Sequence, residues 1–177
     1  MPPRILAASL ATLITAAAAF APAGFAPAAF AAPAAPAAPA APAASNPAAS
    51  NPAVLAPVHR FIASVNAGDM KAAASVFTPD ATIIDEFPPF LWHGHAVAGW
   101  SRDYDTFAKG AGMVPGKITL AAPSGLQTGA GHAYAVIPAE IALTVKGKPT
   151  TEAGSFTFVL TRQHGPWRIA AWAWAAR

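Results

Sequence analysis

Asp85 ends the run Ala81-Thr82-Ile83-Ile84, and a carboxylate in an otherwise apolar strand is this chain's best-placed proton carrier. If that strand faces a cavity, the carboxylate loses water and its charged form is disfavoured. Its pKa then rises toward the range a general base needs. In the competing reading Asp85 caps a turn or pairs with a Lys or Arg at a rim, with Glu86 solvated beside it. Trp92-His93-Gly94-His95 is the next candidate. His95 can serve as an acid or hydrogen-bond donor in a pocket. His93, His95 and His132 invite a zinc reading, but Gly94 stands at a strand-to-helix junction where the two side chains diverge. No Cys or acid stands at zinc spacing, so neither a metal nor a cofactor is expected. Ser-His-Asp order, a phosphate-cradling Gly loop and a dinucleotide fingerprint are all missing.

Aromatic side chains surround these groups in sequence: Phe61, Trp92, Trp100, Tyr104, Phe107, Tyr134, Phe156, Phe158, Trp172 and Trp174. Taken singly, each is more often core than site. As a set they could wall a pocket for a flat apolar ligand, and Tyr104 and Tyr134 could bring phenol donors to it.

The elements that must position these residues follow from periodicity. Val58, Phe61, Ile62 and Val65 recur at i, i+3, i+4 and i+7, one face of a helix, and Gly68 stops it. Asp69 can cap a second helix carrying Met70, Ala73, Ala74 and Phe77. Thr78-Pro79-Asp80 reads as a turn, residues 81–86 as a strand ended by Pro88-Pro89, and residues 90–93 as another short one. A third helix after Gly94 carries Val97, Trp100, Tyr104 and Phe107, and Gly110-Ala111-Gly112 ends it. From there the period switches to two, predicting strands over 117–121, 131–145, 151–162 and 167–174. Helices segregated over a mostly antiparallel sheet make an α+β layer arrangement. The expected form is a cone: a curved antiparallel sheet wrapped on three N-terminal helices around one central cavity.

Composition limits the rest. The chain has 177 residues, no cysteine and a net charge of +3 from 11 basic and 8 acidic residues. The basic residues are scattered singly, which argues against nucleic acid as a partner. Arg4 precedes an uncharged run from Ile5 to Phe20, shorter than a membrane span, and Ala29-Phe30-Ala31 suits a signal peptidase. Residues 1–31 are therefore expected to be a signal peptide cut before Ala32, giving a periplasmic or secreted protein without stable membrane insertion afterwards. An uncleaved anchor and a misplaced start are the alternatives. Residues 32–57, a Pro-Ala repeat, read as a disordered spacer, and residues 58–177 as the domain.

The segment FIASVNAGDMKAAASVFTPDATIID, the Trp92-His93-Gly94 step into a helix and the closing Gly165-Pro166-Trp167-Arg168-Ile169 strand resemble the nuclear transport factor 2-like superfamily. Its secreted polyketide-cyclase-like (SnoaL-like) and ketosteroid-isomerase-like members are the most similar. The resemblance covers the whole domain. It implies a cone-shaped α+β barrel, frequent homodimers and a pocket serving many functions. It places Asp85 where the ketosteroid isomerases hold their base. Their two oxyanion donors would fall at Phe61 and Gly154, neither of which can donate from a side chain. Losing one such donor typically costs ~10²–10³ in rate, so isomerisation of a steroid by that route is disfavoured. Glu152 shares strand parity with Gly154 and so reaches the same cavity as a second acid, unless it stands exposed near the strand end. Trp172 and Trp174 share the face that the resemblance turns inward, though Arg168 shares their parity.

Two functions remain open from the sequence. One is an exported domain binding a small apolar molecule in a conical pocket. The other is a proton-transfer isomerase, cyclase or dehydratase acting on a cyclic or polyketide-like substrate, with Asp85 as base.

Overall fold

Asn51 caps the first helix: its side-chain oxygen accepts from Val54 N at 3.4 Å, and Pro52 follows as the first helical residue. The structure, a computed structural model, describes residues 51–177. The expected signal peptide and residues 32–50 of the expected spacer lie outside them. Helix α1, Pro52–Asn66, takes in the last six residues of that spacer, 52–57. Val54 and Leu55 extend its buried stripe by a turn, and that burial offsets the hydrogen bond that Pro57 removes inside the helix. Gly68, at φ 72°, and the cap from Asp69 to Ala72 N at 2.9 Å then turn the chain into α2, Met70–Ala74.

Phe77 was expected at the end of that helix; it opens strand β1, Phe77–Ile84. The predicted Thr78-Pro79-Asp80 turn is absorbed as an irregularity in β1, between its pairings at Phe77 and Thr82. β1 runs antiparallel to β2, Leu91–His93, and parallel to β7, Arg168–Ala176. Helix α3, Ala96–Ala111, ends at Gly112 with φ 66°, the left-handed cap that the glycine makes accessible. Strands β3 (Met113–Leu120), β4 (Gly125–Thr128), β5 (His132–Val145) and β6 (Lys148–Thr161) complete the order. β5 and β6 form one long hairpin through Lys146 and Gly147, both at positive φ (49° and 78°).

The seven-stranded sheet runs β2-β1-β7-β6-β5-β3, with β4 also paired to β5. It is curved, unclosed and antiparallel except at β1/β7, and the fold is the expected α+β arrangement. Odd-numbered residues of β5 (Ala133, Ala135, Ile137, Ala139) and even-numbered ones of β6 (Phe156, Phe158, Leu160) fill its inner face against α1 and α3. Asn66 ties α1 to the sheet by mimicking a strand: its amide accepts from Ile118 N and donates to Ile118 O, both at 2.8 Å.

Gly154 sits under the Trp174 indole. A Cβ there would lie 2.6 Å from ring carbon Cη2 and 2.5 Å from the Ala175 carbonyl oxygen, closer than real atoms stand. Gly154→Ala is therefore expected to cost about 1–3 kcal/mol, as overpacking typically does. Thermal unfolding should show a midpoint several degrees lower, together with altered Trp fluorescence.

Candidate functional site

The helices and the inner sheet face leave a cavity of about 120 Å³. Trp100, Tyr104 and Phe107 reach it because positions i, i+4 and i+7 share one face of α3. α1 contributes Phe61, which is 1 % exposed and packs edge-on against Phe77 at 5.0 Å. β6 and β7 bring Phe156, Trp172 and Trp174, with the Phe156 and Trp174 rings 4.6 Å apart. Trp100 stacks on Tyr104 at 5.7 Å and meets Trp172 edge-on at 5.5 Å, so these rings form one packed aromatic wall. Met113, Ile118, Ile141 and Leu143 of β3 and β5 close the remaining side.

Three carboxylates enter this apolar shell. Asp85 and Glu86 come from the loop between β1 and β2, which Asp85 N closes onto the Phe90 carbonyl at 3.2 Å; Glu152 comes from β6. Trp100 Nε1 donates to Asp85 Oδ2 at 2.8 Å and Glu86 N to Asp85 Oδ1 at 2.8 Å. Trp174 Nε1 donates to Glu152 Oε1 at 2.8 Å. Burial lifts the Asp85 carboxyl above its ordinary value, overcoming the two hydrogen bonds that pull it down, and the Glu152 charge adds to the rise. Glu86 is also raised, by loss of water first and then by the charge and approach of Glu152 and by Asp85. The Tyr104 phenol is raised by burial, then by the Asp85, Glu152 and Asp105 charges, so near neutrality it keeps its proton and can donate. No Lys, Arg or His lines the cavity, and among the described residues Arg102–Asp103 is the one salt bridge.

Phe61, Asp85, Trp100, Tyr104, Glu152, Phe156, Trp172 and Trp174 thus stand around one space. Three expected site residues do not. Tyr134 is 45 % exposed on the outer sheet face opposite Val159, because the even positions of β5 point away from the helices. Trp92 is buried, but on the far side of Phe87, with its Nε1 bonded to Asp103 Oδ2 at 2.9 Å. His95 is the exposed N-cap residue of α3 and borders a separate open groove with Thr78, Pro79 and Arg168. His93 pairs with Thr82 Oγ1 at 3.0 Å. No group of three His, Cys, Asp or Glu side chains suited to a metal occurs among the described residues.

Sequence reasoning placed Phe107 in the wall, where it stands, and missed Glu86 and Phe87. Glu86 entered only the competing reading, as solvated beside Asp85, and it is indeed exposed while bordering the cavity. β1 stops at Ile84, and in the loop beyond it two consecutive acids face one space. Pro88-Pro89, which forbids a long strand, was the available signal. At the two positions where the resemblance looked for oxyanion donors, Phe61 is packed in the core and Gly154 is covered by Trp174.

The sequence pattern of the SnoaL-like domain family matches residues 54–173. No curated protein matches the chain. Solved structures share the fold at low identity. A ketosteroid isomerase-like protein from Erwinia carotovora atroseptica is 18 % identical at TM-score 0.57, over 70 % of this chain and 93 % of that one. A CaMKII hub from S. rosetta is 20 % identical at TM-score 0.58, over 75 % and 98 %. An uncharacterised protein with a cystatin-like fold from Caulobacter vibrioides is 19 % identical at TM-score 0.55, over 71 % and 87 %.

A carboxyl whose folded pKa is raised binds its proton more tightly in the native state, so stability falls as pH climbs from the unfolded value through the folded one. For Glu86 that window opens at its ordinary value of 4.5 and extends upward. Glu86→Gln should match wild type in thermal midpoint below pH 4.5 and exceed it increasingly above. Equal midpoints across that range would show that Glu86 is solvated.

Proposed function

The chain belongs to the SnoaL-like domain family, and from that premise we propose that it binds a small, largely apolar molecule of about one ring in the cavity between α1, α3 and the sheet. The observation that carries this is the cavity's size together with its wall. Pockets for drug-sized ligands run to roughly 300–1,000 Å³, whereas an engineered apolar cavity of roughly 150 Å³ takes benzene. At about 120 Å³ this space suits a single ring or a short branched chain rather than a fused four-ring steroid. Aromatic walls supply the apolar contact, and Asp85, Glu152 and Tyr104 supply orientation.

Proton transfer on that ligand is the second reading, and one feature favours it. Burial holds the Asp85 carboxyl above its ordinary value beside a protonated Tyr104 phenol, a base and a donor in one space.

Export belongs to the same proposal, supported by Arg4, the uncharged run after it and Ala29-Phe30-Ala31. N-terminal sequencing of protein recovered outside the cytoplasm should begin at Ala32; an intact Met1 would refute the cleavage.

A thermal-shift panel of single-ring compounds and steroids tests the cavity. A fitting ligand at 100 times its dissociation constant adds about 2.7 kcal/mol, enough for a shift of several degrees. Ile141→Phe, which fills the space beside Glu152, should abolish that shift while leaving the protein folded. A shift that survives this variant would place the ligand elsewhere. Where a responding compound carries an acidic C–H, Asp85→Asn should slow its exchange with deuterated water by about 10²–10⁴ while binding persists.

A further inference from the structure

Every ionisable side chain in the cavity wall is an acid, and aromatic faces enclose them. Asp85, Glu86 and Glu152 converge on it, Tyr104 is the remaining ionisable group, and no basic residue lines it. The neutral donors nearest the acids are already committed: Trp100 Nε1 to Asp85 and Trp174 Nε1 to Glu152. Trp100 stacks on Tyr104 with centroids 5.7 Å apart and meets Trp172 at 84°, so rings of differing orientation line the cavity. A wall of aromatic rings and carboxylates is complementary to an organic cation, which a ring face attracts and a carboxylate neutralises.

We infer that the cavity selects a ligand bearing a positive charge on its buried end, a small primary to quaternary organic ammonium. The inference rests on reading this cavity as the ligand site and names the class of ligand it takes. A carboxylate or phosphate ligand would meet three acids without a counter-charge in a poorly solvated space. A neutral hydrocarbon would fill the volume but leave the carboxylates uncompensated. An ammonium does both: its carbon substituents lie on the indole and phenol faces, and its charge faces Asp85 and Glu152. Loss of water first, and the neighbouring acids after it, raise the Asp85 and Glu86 carboxyls, and a bound ammonium would lower both. The chain's net charge of +3 repels cations, so general electrostatic attraction cannot imitate the preference.

Three probes of nearly one shape test this on the full chain at pH 7 and fixed ionic strength: benzylammonium, benzyl alcohol and benzoate. Calorimetry reads affinity, and quenching of the lining tryptophans reads location. Benzylammonium should bind at least tenfold more tightly than benzyl alcohol, and benzoate least. Glu152→Gln keeps an acceptor for Trp174 Nε1 and should erase most of the tenfold preference, its thermal midpoint in the same buffer verifying that it is folded. Equal binding of benzylammonium and benzyl alcohol to wild type would overturn the inference and leave the ligand-binding reading standing. A preference untouched by Glu152→Gln and by Asp85→Asn would overturn it likewise. Failure of all three probes would remove both.

Discussion

Two indole-to-carboxylate hydrogen bonds hold this architecture around its cavity. Trp100 Nε1 fixes Asp85 and Trp174 Nε1 fixes Glu152, each at 2.8 Å. A carboxylate placed among Phe and Trp side chains without such a donor would cost several kcal/mol and would swing into water or be protonated outright. A hydrogen bond to a charged group contributes about 1.5–3 kcal/mol, which offsets much of the cost of keeping the acid inside. Each bond also joins elements. The first ties α3 to the end of β1, and the second joins neighbouring strands β6 and β7. Removing an indole therefore frees a charge and loosens a wall together.

The sheet makes room for this by local irregularity. Gly154 removes a side chain where the Trp174 ring must lie, so the residue that might have carried a polar group there is traded for a place to seat an indole. In β7, Ile169 pairs with Leu160 and Ala171 with Val159, which leaves Ala170 as an extra residue. That bulge switches the strand's parity, so Ile169 faces inward below it and Trp172 and Trp174 above it. β3 breaks its pairing between Pro115 and Ile118, where Asn66 bonds to the freed backbone. The cavity is bounded by these departures from regular pairing as much as by the regular strands.

The same departures explain what could be read from the sequence. The helical stripes of α1 and α3, the change to period two and the Gly and Pro punctuation are local signals, and they revealed the layers and most wall residues. Arg168 looked like an inward residue because it shares parity with Trp172; the bulge at Ala170 separates them, and Arg168 instead donates to the Ser75 and Phe77 carbonyls. Tyr134 differs from Ala133 by one position, and only the register with β6 decides which of the two faces the helices. β4 was missed because its four residues carry one buried side chain, Leu126, too little for a periodic signal. His95 and Trp92 lie at the junction into α3, where direction depends on how the helix docks and not on any local period.

The arrangement also restricts the chemistry the cavity can favour. A site that stabilises an enolate aims donors at the oxygen where negative charge develops. Here the indole donors beside the acids are spent on Asp85 and Glu152, Phe61 and Gly154 have no side-chain donor to offer, and three carboxylates stand close to any nascent oxyanion. Such an anion would find the Tyr104 phenol and the unpartnered Trp172 Nε1 as side-chain donors of the wall and would be repelled by the acids. A transition state that gathers positive charge, or loses a proton from a cationic centre, meets the opposite field: carboxylates beside it and aromatic faces around it. The layers are those of the shared fold, and what opposes an oxyanion here is the set of side chains in the wall: three acids, no basic residue, and indole donors already bonded to Asp85 and Glu152.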